Sequence, residues 1–108
     1  DRWILKPEDS YGSKGVYAGV EYSQDEWEQK VRGVKMGEYI LQEFCMPYTN
    51  YNYEFDGNSL NRIKFYNLTG MYVYNGKLKG MYSRISKSPI ISTQYSEMAI
   101  PTIIVDET

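Results

Sequence analysis

The chain has 108 residues, a formal net charge of −2, no histidine, a single cysteine and twelve tyrosines. That is one domain's worth of chain, within the usual span of about 100–150 residues, and its aromatic and β-branched content favours strands. Histidine bases, histidine metal sites and an internal disulfide are excluded, and the overall charge gives no general attraction to nucleic acid.

Charge is unevenly spread. The stretch from Arg62 to Lys87 carries six bases and no acid, while residues 1–61 carry eleven acids and six bases. The basic block reads either as a solvated hairpin with its lysines outward or as a local anion site. No apolar run approaches the ~18–20 residues that span a bilayer, and no leader-like opening is read. A cytoplasmic protein is expected, with no membrane and no nucleic acid among its partners. The chain starts two residues before an apolar strand, without a cap, a turn or an initiator methionine, so a piece of something larger is expected.

In chain order, Trp3-Ile4-Leu5 predicts a short buried strand that Pro7 stops, with Lys6 held extended before the proline. A loop from Glu8 to about Gly15 follows, then a strand over Val16–Tyr22, the two strands forming a hairpin with a long tip. Ser23 and Glu26 have the spacing of a capping box, with Tyr22 and Trp27 placed as a hydrophobic staple. They predict a helix over about 24–32, with Val31 on the Trp27 face and Gly33 as the left-handed C′ residue. Glu38–Phe44 predicts another strand, and Cys45 beside it reads as a small core residue. Residues 46–61, "MPYTNYNYEFDGNSLN", read as a turn-rich, tyrosine-rich excursion.

Asn75-Gly76 between strand-like runs is the preferred type I′ hairpin turn. A two-residue loop predicts that Tyr74 pairs with Lys77, Val73 with Leu78, Met71 with Gly80, Thr69 with Tyr82 and Asn67 with Arg84. One face then carries Phe65, Asn67, Thr69, Met71, Val73, Leu78, Tyr82 and Arg84, and the other carries Lys64, Tyr66, Tyr72, Tyr74, Lys77 and Lys79. An arginine on the apolar face needs an anionic partner. Either it pairs with a carboxylate such as Glu97 or snorkels at the sheet rim, or it clamps a phosphate or acyl phosphate, which guanidinium grips with two parallel bonds. The fold class expected is α+β, mainly antiparallel sheet with one helix.

The glycines at 12, 15 and 19 match neither G-x-x-x-x-G-K-[ST] nor G-x-G-x-x-G. By spacing alone they suit an ordinary hairpin tip. The ingredients of an anion cradle are nevertheless present: loop amides, the Ser13 hydroxyl, and Lys6 and Lys14 to reach phosphates. A strand ending in Gln42-Glu43-Phe44 suits an adenine-binding hinge, with strand-edge amides and carbonyls meeting the purine.

The order "WILKPEDSYGSKGVYAG", capped helix, "YILQEFCMP" and "GMYVYNGKLKGMYSRIS" resembles the C-terminal part of the circularly permuted ATP-grasp proteins, the glutathionylspermidine synthase-like family. The resemblance covers nearly the whole chain. It implies an ATP-grasp segment spanning 1–108, with a glycine-loop lid and hinge over 1–45, the excursion over 46–61, and a basic hairpin and tail over 62–108. It places Lys6 on the ATP phosphates, Gly12, Ser13, Lys14 and Gly15 in the closing loop, and Gln42, Glu43, Phe44 and Cys45 at the adenine. Arg84 would face the phosphate-transfer site. The implied activity joins a carboxylate to an amine with ATP and Mg²⁺ through an acyl phosphate. The metal ligands are expected in the remainder of the parent chain, so this segment alone would be inactive. Two other readings stand beside it. One is a non-catalytic module that recognises a partner through Tyr48–Tyr53. The other is a stacking platform for single strands built from Lys64, Lys77 and Lys79 with Tyr66, Tyr72 and Tyr74.

Overall fold

The computed structural model describes residues 2–92 and 97–106. Its architecture is α+β, with antiparallel sheets and, among the described residues, one α-helix. The chain divides into two compact units, Asp1–Met46 and Pro47–Thr108, each with its own sheet.

In the first unit β1 (Trp3–Pro7) is the central strand, flanked by β2 (Tyr17–Ala18) and β3 (Tyr39–Glu43), both antiparallel to it. The Phe44 amide donates to the Arg2 carbonyl at 2.7 Å and the Glu8 amide to the Glu38 carbonyl at 2.9 Å, extending the β1–β3 ladder at both ends. That phase makes Pro7 opposite Tyr39 a non-hydrogen-bonded pair, so the missing proline N–H costs no ladder bond. Leu5 and Ala18 are the buried residues of this sheet.

The strand expected over 16–22 is only two residues long. Gly19 turns the chain into a 3₁₀ segment, Gly19–Glu21, beneath the helix. A Cβ at Gly19 would lie 3.2 Å from the Trp3 carbonyl oxygen and 3.4 Å from the Trp27 indole, so that ring fits only over glycine. The helix α1 (Gln24–Gly33) has the expected capping box: the Ser23 amide donates to Glu26 at 2.8 Å and the Glu26 amide to Ser23 Oγ at 3.4 Å. Its inward face carries Trp27 and Lys30, whose ammonium lies 4.7 Å from the Tyr17 ring centroid. Val31 is exposed, and Gly33 is the last helical residue without the left-handed backbone expected of it; the extended Val34 ends the helix instead.

The second unit is a meander of β4 (Tyr48–Phe55), β5 (Leu60–Tyr74), β6 (Lys77–Ser86) and β7 (Met98–Ile100), in that spatial order. The expected excursion over 46–61 is therefore mostly a strand. Tyr, Thr and Phe outweigh the asparagines that suggested turns, and Tyr48–Phe55 pairs without a break to Asn67–Leu60. Its turn is held by Asp56, whose carboxylate accepts from the Asn58 and Ser59 amides at 2.9 Å and from Asn61 Nδ2 at 2.8 Å. Phe65 and Ile85 form the buried centre of one face, and Ser86 is buried on the other.

The Asn75-Gly76 turn is left-handed at both residues, as type I′ requires. Tyr74–Lys77 and Val73–Leu78 pair as expected, but Tyr72 then faces Gly80, because Lys79 is an extra residue in β6. Everything past this bulge changes face. Met71 meets Met81, Gly70 meets Tyr82 and Leu68 meets Arg84, so Arg84 joins Tyr66 and Tyr72 rather than Phe65 and Asn67. The Tyr82 ring lies across Gly70, where a Cβ would overlap it, and its centroid is 5.1 Å from that of Tyr72.

Gly70→Ala is expected to cost about 1–3 kcal/mol by displacing that ring. In urea melts the penalty should shrink sharply in a Tyr82→Ala background; equal penalties in both backgrounds would show that the ring is not the cause. The hydrogen bonds from the Asn58 and Ser59 amides and from Asn61 hold the Asp56 carboxyl well below the ordinary carboxylate range. Its stabilising contribution is complete above about pH 4 and is lost as pH falls through the depressed value. Asp56→Asn should therefore flatten the acid limb of stability against pH, measured by thermal melts from neutral to strongly acidic solution.

Candidate nucleotide site

The end of β1 and the β1–β2 loop build the first unit's candidate site. The loop is two successive turns, closed by the Lys14 amide on the Tyr11 carbonyl and the Val16 amide on the Ser13 carbonyl, each at 3.2 Å. Gly12 and Ser13 are left-handed, with φ of 61° and 59°, and so is Gly15 at 75°. The turns thus spend the amides of Lys14 and Val16, leaving those of Gly12, Ser13 and Gly15 outside the turn hydrogen bonds. Ser10 Oγ donates to the Lys14 carbonyl at 3.0 Å and braces the tip.

Lys6 stands opposite Ile40 in the ladder, and both line a cleft of about 320 Å³ together with Gly12, Ser13, Lys14 and Val16. Glu8 also borders it. Neither Lys6 nor Lys14 has a carboxylate partner among the described residues. Two lysines and a loop whose Gly12 and Ser13 amides lie outside the turn hydrogen bonds line one cleft, a donor set that suits an anion with several oxygens. Gly15 lies on the far side of the loop, against Pro7 and the Tyr39 hydroxyl, in a larger cleft of about 710 Å³. That cleft has Glu8, Asp9 and Glu38 against Lys14 alone, the wrong sign for a phosphate. Ile40 is the lining residue that sequence reasoning missed, because only the β1–β3 pairing brings it beside Lys6.

Of the expected hinge residues, β3 presents one at an open edge. Its pairing with β1 commits the backbone groups of residues 38, 40, 42 and 44, as the bonds at Glu38 and Phe44 fix the phase. The N–H and C=O of Leu41 and Glu43 point instead to the unpaired side, since β3 is an outer strand. Gln42 and Phe44 cannot offer main-chain contacts there. The Glu43 carboxylate accepts from Arg2 at 2.8 Å on the surface. Cys45, expected in the core, is an exposed free thiol beyond the end of the strand at Glu43. Gln42 to Cys45 line neither cleft.

Arg84 belongs to the second unit. Its Nη1 donates to Glu97 at 3.0 Å and its Nη2 to the Tyr82 hydroxyl at 3.3 Å, with the two side chains 31% and 13% exposed in the Arg84–Glu97 pair. Tyr82 first, and then Glu97, hold the guanidinium charge above its ordinary stability against proton loss. Arg84 Nε is buried without a hydrogen-bond partner among the described residues. The anionic partner within the fold is thus Glu97, and a bound phosphate would compete with it. Among the described residues no three of Asp, Glu, Cys or His converge where a metal ion could sit, so the donor set for Mg²⁺ is not found in them. Comparison with family models, curated proteins and solved structures gave no match.

The loop's shape rests on Gly15. Gly15→Ala is expected to lose about 1–2 kcal/mol to left-handed strain and more to the Tyr39 hydroxyl, 3.0 Å from the added Cβ. Gly37→Ala, at φ 86° with nothing within 4 Å, should lose only the strain. In urea titrations Tyr39→Phe should recover part of the Gly15→Ala loss and none of the Gly37→Ala loss.

Proposed function

We propose that this chain is the ATP-binding portion of a carboxylate–amine ligase of the permuted ATP-grasp, glutathionylspermidine synthase-like kind. The observation that carries the reading is the cleft where Lys6 and Lys14, both without carboxylate partners, meet the unspent amides of Gly12 and Ser13. Lys6 and Lys14 would neutralise the triphosphate, the loop amides would wrap it, and the open edge of β3 at Leu41 and Glu43 would meet the adenine. ATP supplies the phosphoryl group: the carboxylate attacks the γ-phosphorus and releases ADP, and an amine then displaces phosphate from the acyl phosphate to form the amide. Such transfer depends on positioning and charge neutralisation more than on covalent help from the protein. The metal ligands, and Arg84's access to the transferring group, would depend on the remainder of a larger ligase, so this chain alone would bind nucleotide without turnover.

A second reading is a non-catalytic module on the same scaffold. It is favoured by the commitment of Arg84 to Glu97 and Tyr82, which leaves that guanidinium occupied.

An amide-shift titration with ATP, with and without Mg²⁺, tests both. Saturable shifts at Lys6, Gly12–Gly15 and Leu41–Glu43 are expected, with Lys6→Ala weakening affinity at least tenfold, the scale of one charge-assisted bond of about 1.5–3 kcal/mol. Absence of saturable shifts, or a Lys6→Ala variant that binds as the parent does, would favour the non-catalytic module.

A further inference from the structure

The β4–β5 hairpin distributes its side chains the wrong way round for packing. Asn50, Asn52 and Glu54 share the covered face with Phe65, where Asn50 Oδ1 accepts from Asn52 and Asn67 Nδ2, both at 2.8 Å. Tyr51, Tyr53 and Phe55 take the opposite face and are 55%, 67% and 65% exposed. Across the strand from them stand Lys64, Arg62 and Leu60, all exposed as well. Folding alone would bury the rings and expose the asparagines. A contiguous exposed patch of this kind marks an interaction surface.

Charge identifies the occupant. Arg62 and Lys64 alternate with the rings, and the Arg62 guanidinium lies 4.2 Å from the Tyr51 ring centroid. Neither cation has a carboxylate partner among the described residues, whereas Arg84 and Lys87 are paired with Glu97 and Glu54. Glu54, the acid of β4, lies on the other face, so this one has cations and no acid among its strand residues. Successive rings on β4 are two residues apart, about 7 Å. The six residues fall well short of the ~20–30 a side that a stable protein interface uses. They suit a few nucleotides, whose bases need a π-face and whose phosphates need a cation.

The geometry points to a binding face for single-stranded nucleic acid on the β4–β5 hairpin, with bases stacked on Tyr53 and Phe55 and phosphates held by Arg62 and Lys64. The chain's net charge conceals it, because the acids lie elsewhere. The face shares no residue with the nucleotide cleft, so either reading can fail without the other.

The test is fluorescence anisotropy of the full chain with a labelled oligothymidylate of about 12 nucleotides. Saturable binding is expected, its logarithm falling with the logarithm of salt at a slope near −1.4 for about two neutralised phosphates. Tyr53→Ala and Phe55→Ala should each weaken it by about tenfold, and Lys64→Ala should lessen the salt slope. All three positions are exposed, and unchanged thermal melts would confirm that the variants fold. The proposal is overturned if no saturable binding occurs, or if the ring variants bind as the parent does. It is overturned equally if polyglutamate displaces the strand as well as unlabelled oligothymidylate does, which would mark a site for acidic protein.

Discussion

In both units, hydrogen-bond register along one central strand decides which side chains meet. In the first, the phase of β1 against β3 sets Lys6 beside Ile40 and turns the main-chain groups of Leu41 and Glu43 toward open space. In the second, β5 carries a hairpin on each side, and a single extra residue at Lys79 exchanges the faces of everything that follows it in β6. Because the period of a strand is two, one residue moves a guanidinium from one side of a sheet to the other. No gradual adjustment lies between the two outcomes.

The cations divide into those with carboxylate partners and those without, and exposure alone does not decide which, since Arg2, Arg32 and Lys35 are exposed and paired. Arg84 and Lys87, both partly screened from water, have carboxylates within hydrogen-bonding distance. An unpaired charge there would carry a desolvation penalty. Lys6 and Lys14 border a cleft, and Arg62 and Lys64 border exposed rings, without such partners. Water reaches the exposed Lys14, Arg62 and Lys64 freely and the half-buried Lys6 in part, and an anionic ligand could replace that water.

Much of this was legible from residue order. The capping box around Ser23 and Glu26 and the Asn75-Gly76 turn depend on neighbours a few positions apart, and both formed as local chemistry dictates. What sequence reasoning missed depended on distant partners. The strand after Val16 is cut short because Trp27, eight residues beyond Gly19, needs room over that glycine. The asparagines of β4 signal turns in sequence, yet here Asn50 accepts from both Asn52 and, across the sheet, Asn67. A two-residue turn carries no sign of the bulge at Lys79, so its register predicts the wrong face for Arg84. For the candidate cleft, the lysines and the glycines were visible, whereas Ile40 and the open edge of Leu41 required the pairing itself.

The turn that fixes the β5–β6 ladder is also the chain's chemical clock. In Asn75-Gly76 the side-chain amide is followed by a residue with no Cβ to shield its main-chain nitrogen, and the pair is exposed at the tip. Whenever the turn opens, that nitrogen can attack the Asn75 side-chain carbonyl and expel ammonia. The cyclic imide then hydrolyses, largely to isoaspartate. The product routes the main chain through one additional methylene and puts a negative charge beside Lys77. A two-residue loop has no slack to absorb that extra length, so ageing of the protein would be felt first as loosened pairing from Tyr74 and Lys77 inward.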